Sequence, residues 1–384
     1  LKPSASLPSE YSGLSAPVTA ASVPNAHDTC KASSTQACFD YSDPDTLAYF
    51  KAVAEYYVKQ YGIDGWRLDQ AYQVPIAAWG EIDSVVKQAA ADRAAGGETW
   101  GTLGYMVAEV WDGNQNNFVN KIYGTEAKPG LTSAFDFPLR YGVVHAFASG
   151  EDGEKGDATH LYASWNDIAN YPLYAMPNLM LTNHDLVRFG DLLERSGRAT
   201  GVDDPAYWLA HKAAFSFMAA NSGPITLYYG DEIGDEVPGF STRERNPSDG
   251  VCVVGTLCRD DDNIARSDAK IEGLNGFTPS TAQADLKAYV AKLLQVRAAN
   301  PALYGGKRIN LAKSATLYVD LKQTLDQQIV YLLNTGTTDS TYDLSTAGLK
   351  GTALLDLVTN TTITDLSAVP APALTGRLLK VVTP

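Results

Sequence analysis

The sequence predicts an α/β protein in which helices alternate with parallel strands, followed by a smaller antiparallel β domain. Over residues 45–230, stretches with helical periodicity alternate with short apolar runs, which is the pattern of a parallel sheet. Three of these runs end at an acidic residue, Asp69, Glu109 and Asp185. From about residue 302, short β-branched runs and Thr/Gly/Asp turns replace that pattern, as in a β-sandwich.

The first predicted element is a helix over residues 45–61, where apolar residues recur at helical spacing after Ser42-Asp43-Pro44, a helix-start signature. The other predicted elements of the α/β part are, in order, strand 62–69, helix 76–95, strand 103–108, strand 131–137, helix 140–148, strand 178–181, helix 207–221, strand 224–229 and helix 281–299. Residues 231–280 form a long polar excursion rich in Gly and Asp, and loops of this length are usually functional or disordered.

Three regions follow from this pattern. Residues 1–44 are rich in Ser, Ala, Pro and Asp and are predicted to be loop, residues 45–301 form the α/β part, and residues 302–384 form the antiparallel β domain. The predicted strands of the β domain are 315–320, 328–333, 353–358 and 378–382.

Composition excludes several classes of partner. The net charge of −14 argues against nucleic acid or an anionic membrane surface, because both repel an acidic protein. No apolar run approaches the length that spans a bilayer. A neutral sugar or polyol is compatible with this charge, and the 21 Tyr and 6 Trp provide flat faces with a polar edge that suit sugar rings, although packing accounts for most of them.

The four cysteines occur as two close pairs, Cys30 with Cys38 and Cys252 with Cys258, in loop-like sequence. Neither pair has the additional Cys or His residues of a zinc site. We expect two short-loop disulfides and therefore a secreted or periplasmic protein. The alternative is four free thiols in a reducing compartment.

The three acids suit the cleavage of a glycosidic bond. Retaining cleavage needs two carboxyl groups about 5–5.5 Å apart, one ionised to attack and one protonated to donate. Asp69 is the expected nucleophile, because Arg67 lies two residues earlier and a cation favours the ionised carboxyl. Glu109 is the expected proton donor, because its apolar neighbours Val110 and Trp111 favour the neutral form.

These residues resemble motifs of the α-amylase family of glycoside hydrolases. The resemblance covers about residues 40–384. It rests on Gly65-Trp-Arg-Leu-Asp69, Ala108-Glu-Val-Trp111, Asn183-His184-Asp185 and the segment 223–232. It implies a (β/α)8 TIM barrel, a C-terminal antiparallel β domain, and retaining hydrolysis of α-1,4-glucosidic bonds in starch, glycogen or maltooligosaccharides.

The resemblance also implies roles for further residues. Asp185 would stabilise the transition state and His184 would hydrogen-bond the sugar. Trp111 would stack on a sugar ring, and Arg266 and Asp268 fall where the family contacts glucose units. Tyr72 and Gln73 stand where many amylases have a Lys-His pair, so the leaving-group side should be recognised differently here.

The sequence departs from the family at its start. Only five barrel strands are predicted, so the barrel lacks its first three strands, and residues 1–44 resemble the end of the inserted domain B. We expect these strands in a missing N-terminal part that would complete the barrel; the alternative is a naturally reduced barrel.

The chemistry needs no cofactor, and the resemblance implies at most a structural calcium. Cys38 stands near the expected Asp ligand of the family's usual site, so a disulfide would replace the ion there. The alternative place for calcium is the acidic segment 257–268.

Two other functions compete with hydrolysis. Within the same family, the chain could be a transglycosylase or an enzyme acting on sucrose or trehalose. In a different class, it could be a non-catalytic sugar-binding subunit, against which the presence of all three acids argues.

Overall fold

The structure is a computed structural model that describes residues 39–151, 153–167, 170–237, 243–245, 252–254 and 266–383. The chain divides into two compact units. Unit 1 comprises Leu1–Phe137 and Asn170–Asn178, and unit 2 comprises Pro138–Ala169 and Leu179–Pro384. None of the helices in the described part of the chain combines the length and the apolar character needed to cross a membrane.

The two long helices of unit 1 confirm the sequence prediction. Helix α1 covers Pro44–Tyr61, and helix α2, which follows strand β1 (Gly65–Leu68), covers Ile76–Ala95. Helix α1 begins at Pro44 because the Asp43 side chain accepts a hydrogen bond from the main-chain N–H of Asp45, at 2.9 Å.

A three-stranded parallel sheet lies at the centre of unit 1. Strand β1 pairs with β2 (Tyr105–Ala108), and α3 (Gln115–Phe118) and the short antiparallel pair β3 (Gly124–Thr125) and β4 (Lys128–Pro129) follow along the chain. Strand β5 (Ser133–Ala134) then pairs with β2, which gives the order β1-β2-β5. The predicted strand 103–108 and the parallel pairing are therefore confirmed.

The remaining predicted strands of the α/β part are shorter than expected. The prediction of a continuous strand over 131–137 was wrong beyond β5, where Phe135 makes a single parallel bridge with Asn178 in unit 1. In unit 2, Leu179 makes a single parallel bridge with Ile225 instead of the predicted longer strands. Pairing there is limited because Pro224 has no N–H and contributes only its carbonyl oxygen, which accepts from Leu179 at 2.7 Å.

Most of the remaining helices in the described residues lie in unit 2. They are α4 (Phe137–Phe147, whose first residue belongs to unit 1), α5 (Thr159–Asp167), α6 (Phe189–Ser196), α7 (Pro205–Ala219), α8 (Thr281–Ala299) and α9 (Ala302–Gly305). The prediction for α8 has the same bounds, and Ser280 and Gln283 form a capping box at its start. Helices α5 and α6 were not predicted, because each has only two or three turns in which to show periodicity. A short antiparallel pair, β6 (Arg243–Arg245) and β7 (Cys252–Val254), lies in the predicted polar excursion.

The C-terminal part of unit 2 is antiparallel, as predicted. Its strands are β8 (Lys307–Lys313), β9 (Leu317–Gln323), β10 (Gln328–Asn334), β11 (Ser340–Tyr342), β12 (Ala353–Asp356), β13 (Thr362–Ile363), β14 (Val369–Ala371) and β15 (Thr375–Val382). Six of them form a sheet in the order β13-β12-β15-β10-β9-β8, and β11 pairs with β14.

Strand β10 shows why this sheet is buried on both faces. Side chains alternate along a strand, so Ile329 and Tyr331 join one apolar cluster while Val330 and Leu332 join another. The first cluster includes helix residues of unit 2. The second includes residues of β14, such as Val369, so the two antiparallel sheets share one apolar layer, as in a sandwich.

Candidate active site

In unit 1, a cation and two acids meet at the ends of two neighbouring strands. Arg67, in β1, donates a hydrogen bond from its guanidinium to the carboxylate of Asp69, one residue beyond the strand. The same guanidinium lies 4.0 Å from the Glu109 carboxylate, one residue beyond β2. The Asp69 side chain is 72% exposed, whereas Glu109 is 4% exposed.

Strand register brings the two acids to neighbouring positions. Arg67 is opposite Val107 and Leu68 is opposite Ala108, so Asp69 and Glu109 are the next pair. The N–H of Glu109 donates to the carbonyl of Leu68 at 2.8 Å, which continues the ladder. In-register side chains of parallel strands point to the same face, and neighbouring strands lie about 4.7–4.9 Å apart. The two acids therefore leave neighbouring strands side by side, with the Arg67 guanidinium beside both carboxylates.

Gly65 allows the two strands to approach closely at the other end of β1. A Cβ atom added there would lie 1.5 Å from the carbonyl oxygen of Tyr105 in β2. Only glycine fits this position. The first residue of the Gly65–Asp69 motif therefore allows the strands to pair, and the last residue contributes a carboxylate to the candidate site.

The main chain that follows Asp69 holds Glu109 in place. The N–H of Gln70 donates to the Glu109 carboxylate at 2.8 Å, and the N–H of Ala71 donates to the Glu109 carbonyl at 3.0 Å. Gln70 adopts a left-handed backbone with φ 42°, a conformation that costs a non-glycine residue about 1–2 kcal/mol. Gln73, expected to contact sugar, donates its side-chain amide to the Gln70 side chain. Sequence reasoning missed Gln70, since glutamine carries no signal for this conformation.

Two aromatic residues predicted to bind sugar lie near this end of unit 1. The Trp111 ring stacks on Phe137, with centroids 5.7 Å apart and planes 21° apart, and 48% of the residue remains exposed. One side of the indole is therefore packed against Phe137, and about half of the residue is exposed. The Tyr72 ring lies beneath the ammonium of Lys121, at 5.3 Å from its centroid.

In unit 2, the third predicted acid is held by side chains. The Asp185 carboxylate lies 3.1 Å from Nε2 of His184 and accepts a hydrogen bond from Nη2 of Arg266 at 2.6 Å. Arg266 also donates from Nε to the carbonyl of His184 at 3.0 Å. The N–H of Asp185 donates a hydrogen bond to the Asn183 side chain at 2.8 Å. This local bond stabilises the Asn-His-Asp turn. Predicted residues His184, Asp185 and Arg266 thus meet in one cluster.

The segment that carries Arg266 is held by residues that the sequence analysis did not identify. The carbonyl oxygen of Ser267 accepts a hydrogen bond from the Tyr229 hydroxyl at 2.6 Å. The hydroxyl of Ser267 accepts another from Nη2 of Arg188 at 3.2 Å. Arg188 is fully buried and lies 3.6 Å from the buried carboxylate of Asp235. Asp268, also predicted, is exposed directly after this anchored residue.

A second buried arginine braces the chain just before the Asn-His-Asp turn. Arg140 donates two hydrogen bonds to Glu151, at 2.7 and 2.5 Å, and one from Nε to the carbonyl of Leu181 at 3.2 Å. The hydroxyl of Thr182 donates to the carboxyl of Asp231, whose pKa burial raises to about 7. These contacts fix both residues that precede Asn183.

The predicted disulfides and the calcium alternatives cannot be placed on this structure. Cys30, Cys38 and Cys258 lie outside the described residues, and only the backbone of Cys252 is described, in β7. Most of the acidic segment 257–268 also lies outside them. The disulfides and the structural calcium therefore stay predictions.

Comparison with known proteins gives one family. The sequence model of that family, "Alpha amylase, catalytic domain", matches residues 29–284. A cyclomaltodextrinase from a Bacillus species is 30% identical over 194 residues, which is 50% of this chain and 29% of that protein. A maltogenic α-amylase of Bacillus acidopullulyticus is 24% identical over 280 residues, 72% of this chain and 37% of that protein. The chain thus spans less than two fifths of the length of these two relatives.

A solved structure gives a longer match. The crystal structure of AmyP in complex with maltose is similar with a TM-score of 0.80 and 41% sequence identity, over 89% of this chain and 69% of that chain. The likeness therefore includes the C-terminal antiparallel sheet as well as the segments that carry the acids.

Proposed function

Because the chain belongs to the α-amylase family of glycoside hydrolases, we propose that it hydrolyses α-1,4-glucosidic bonds of maltooligosaccharides, starch or glycogen with retention of configuration. One observation carries the proposal: Asp69 and Glu109 are in-register neighbours at the ends of β1 and β2, and the Arg67 guanidinium lies beside both carboxylates. The names of the relatives, cyclomaltodextrinase and maltogenic α-amylase, support the substrate class.

Each carboxyl group has a distinct role in this proposal. The ionised Asp69, paired with Arg67, attacks the anomeric carbon while the glycosidic C–O bond breaks. Glu109 gives its proton to the departing oxygen, so the leaving sugar is released as an alcohol. The resulting glycosyl ester on Asp69 is then cleaved by water, and Glu109 takes the proton from that water. The cycle consumes one water and needs no cofactor.

Exposure supports this division of roles. The Asp69 side chain is 72% exposed, so an incoming sugar can reach its oxygen atoms. Glu109 is buried, and its position is fixed by the Gln70 N–H. A proton donor must be held within hydrogen-bond reach of the departing oxygen, and a buried carboxyl that is fixed by the main chain meets that need.

We assign Asp185 to the stabilisation of the positively charged transition state and His184 to hydrogen bonding with sugar hydroxyls. The Asp185 carboxylate contacts both the His184 ring and the Arg266 guanidinium in the cluster of unit 2. Asp185 accepts a hydrogen bond from the Arg266 guanidinium at 2.6 Å, which holds its carboxylate in place. Secretion, and a missing N-terminal part that completes the barrel, stay predictions from the sequence.

Product analysis tests the function. Incubation with maltoheptaose, followed by proton NMR, should give shorter maltooligosaccharides whose new reducing ends first appear as the α-anomer. Sucrose should remain unchanged. First appearance of the β-anomer would contradict retention, products longer than maltoheptaose would indicate transglycosylation, and cleavage of sucrose alone would move the enzyme to another activity of its family. Binding of maltoheptaose without turnover would indicate a sugar-binding subunit.

A further inference from the structure

We propose that His145, Glu154 and His160 of unit 2 form a zinc-binding site. Their ligand atoms, one from each side chain, all lie within 4.8 Å of one another. Two imidazoles and one carboxylate are a donor set that zinc uses in proteins, with a water molecule as the fourth ligand. The proposal does not depend on the proposed hydrolysis, and neither outcome of its test bears on that function.

The chain brings the three donors together by folding one connection back on a helix end. His145 lies in the last turn of α4, and His160 lies in the first turn of α5. Between them, the N–H of Gly156 donates to the carbonyl of His145 at 2.9 Å, and the N–H of Gly150 donates to the carbonyl of Glu154 at 2.8 Å. These main-chain bonds hold the backbone of Glu154 in the connection between the two histidines.

The rings are arranged so that their nitrogens can converge on one ion. Their centroids lie 5.6 Å apart with planes at 88°. Tetrahedral ligands at zinc distances of about 2.0–2.1 Å lie about 3.3 Å from one another, so binding requires the donor atoms to approach by about 1.5 Å at most. Both imidazoles are half-buried and Glu154 is exposed, so zinc can reach the three donors from solvent.

A main-chain contact orients the ring of His160. The N–H of Asp157 donates a hydrogen bond to Nδ1 of His160 at 3.3 Å, and a hydrogen bond to one ring nitrogen of a ligating imidazole fixes its tautomer and orientation.

Gly156 is required for the position of the His160 ring. A Cβ atom added to Gly156 would lie 2.4 Å from both Cε1 and Nδ1 of that ring, a distance at which the ring has to move. The Gly156→Ala variant therefore keeps all three donors but displaces one of them. Gly305 provides a matched control, because a Cβ atom there meets nothing within 4 Å.

The test measures zinc binding to the chain after treatment with a chelator. Calorimetric titration should give one zinc per chain for the wild type, and His145→Gln or His160→Gln should weaken binding at least about a hundredfold, since loss of even an outer partner costs about 10–100-fold. Gly156→Ala should weaken it by a smaller factor, and Gly305→Ala and the exposed-site control Glu272→Gln should leave it unchanged. Circular dichroism of each variant reports whether it is folded.

Cobalt and pH provide independent readouts. Co²⁺ bound at this site should give the visible absorption of a tetrahedral nitrogen and oxygen complex, which both histidine variants should lose. Because imidazoles bind metal only when neutral, affinity should fall as the pH is lowered. Absence of stoichiometric zinc binding by the wild type would overturn the proposal. Equal binding by the wild type and both histidine variants would do the same, because it would place the zinc elsewhere, for instance at the cysteines.

Discussion

The acidic residues of the two units are positioned by different means. In unit 1, Asp69 and Glu109 follow directly from paired strands, and main-chain hydrogen bonds at 2.8 Å hold Glu109 to Leu68 and Gln70. In unit 2, Asp185 depends on the side chain of Arg266, which lies 81 residues later in the chain. The first arrangement depends on backbone geometry that most substitutions preserve, whereas single substitutions can remove the second.

The largest effect is expected where the backbone preserves the site and only the reacting group changes. Asp69→Asn and Glu109→Gln keep the strand ends but remove the nucleophile and the proton donor. We expect Glu109→Gln to lower kcat on maltoheptaose by about 10²–10⁴-fold, and Asp69→Asn by at least as much. Asp64→Asn, near the other end of β1, is the control and should retain normal turnover.

A substrate with a better leaving group separates the two roles. Fluoride leaves without a proton, so α-maltosyl fluoride should restore formation of the glycosyl-enzyme in Glu109→Gln but not in Asp69→Asn. A burst of fluoride release measures this step. Near-normal hydrolysis of maltoheptaose by either variant would refute the assignment of that residue.

A smaller loss is expected in unit 2, where side chains position the acid. Arg266→Gln removes the charge-assisted hydrogen bond to Asp185, and such bonds contribute about 1.5–3 kcal/mol. If this free energy is lost in the transition state, kcat/KM on maltoheptaose falls by about 10- to 150-fold. Lys287→Gln, which breaks a 4.0 Å surface pair with Glu272, is the control. Equal activity of Arg266→Gln and this control would show that Asp185 does not need its partner.

The same difference explains what the sequence could predict. Local periodicity predicts helices α1, α2 and α8 and strands β1 and β2. In these elements, the apolar residues of one face recur at regular spacing along the sequence. The two acids that end β1 and β2 could be predicted with them. The family resemblance alone pointed to Arg266, as a residue that contacts sugar. Its contact with Asp185 and the left-handed backbone of Gln70 were not predicted.

The buried arginines of unit 2 were missed for a physical reason. Arg140 and Arg188 are almost inaccessible to solvent, although arginine is usually exposed. Their burial is stabilised by Glu151, Asp235 and main-chain carbonyls, partners that only the folded chain brings together. Local sequence cannot distinguish such an arginine from one on the surface.

Two buried titratable side chains of unit 2 make the stability of the fold depend on pH. Burial raises the pKa of Asp191, in α6, to about 8, against about 3.9 for an unfolded Asp. Between these values the folded state binds more protons, so this group stabilises the fold fully below about pH 4, and that stability is lost as the pH rises toward 8. Burial lowers the pKa of His211 to about 4. Below about pH 6.5 the unfolded state therefore binds the additional proton at His211, and stability falls as the pH drops toward 4.

Asp191→Asn tests the first of these effects. It keeps an oxygen for the Val237 N–H, which donates to Asp191 at 3.2 Å, but it cannot ionise. Between pH 7 and 8, urea unfolding should show a free energy that falls less steeply with pH than in the wild type, by up to about 1.4 kcal/mol per pH unit. Asp203→Asn, at an exposed position, should not alter the slope. Identical slopes for wild type and Asp191→Asn would contradict the raised pKa.

The smallest effect is expected at Gln70, where the main chain alone makes the contact with Glu109. Gln70→Gly removes the side chain but keeps the N–H, and glycine adopts the left-handed backbone without strain. Relief of that strain and the added chain entropy nearly offset each other, so we expect stability within about 1 kcal/mol and activity within about threefold of the wild type. Gln70→Val keeps the N–H but disfavours φ 42°, so both stability and kcat should fall further. If Gln70→Gly instead loses activity as strongly as Arg266→Gln, the side chain of Gln70 positions Glu109. Unit 1 would then also depend on a side chain to position an acid, as unit 2 does.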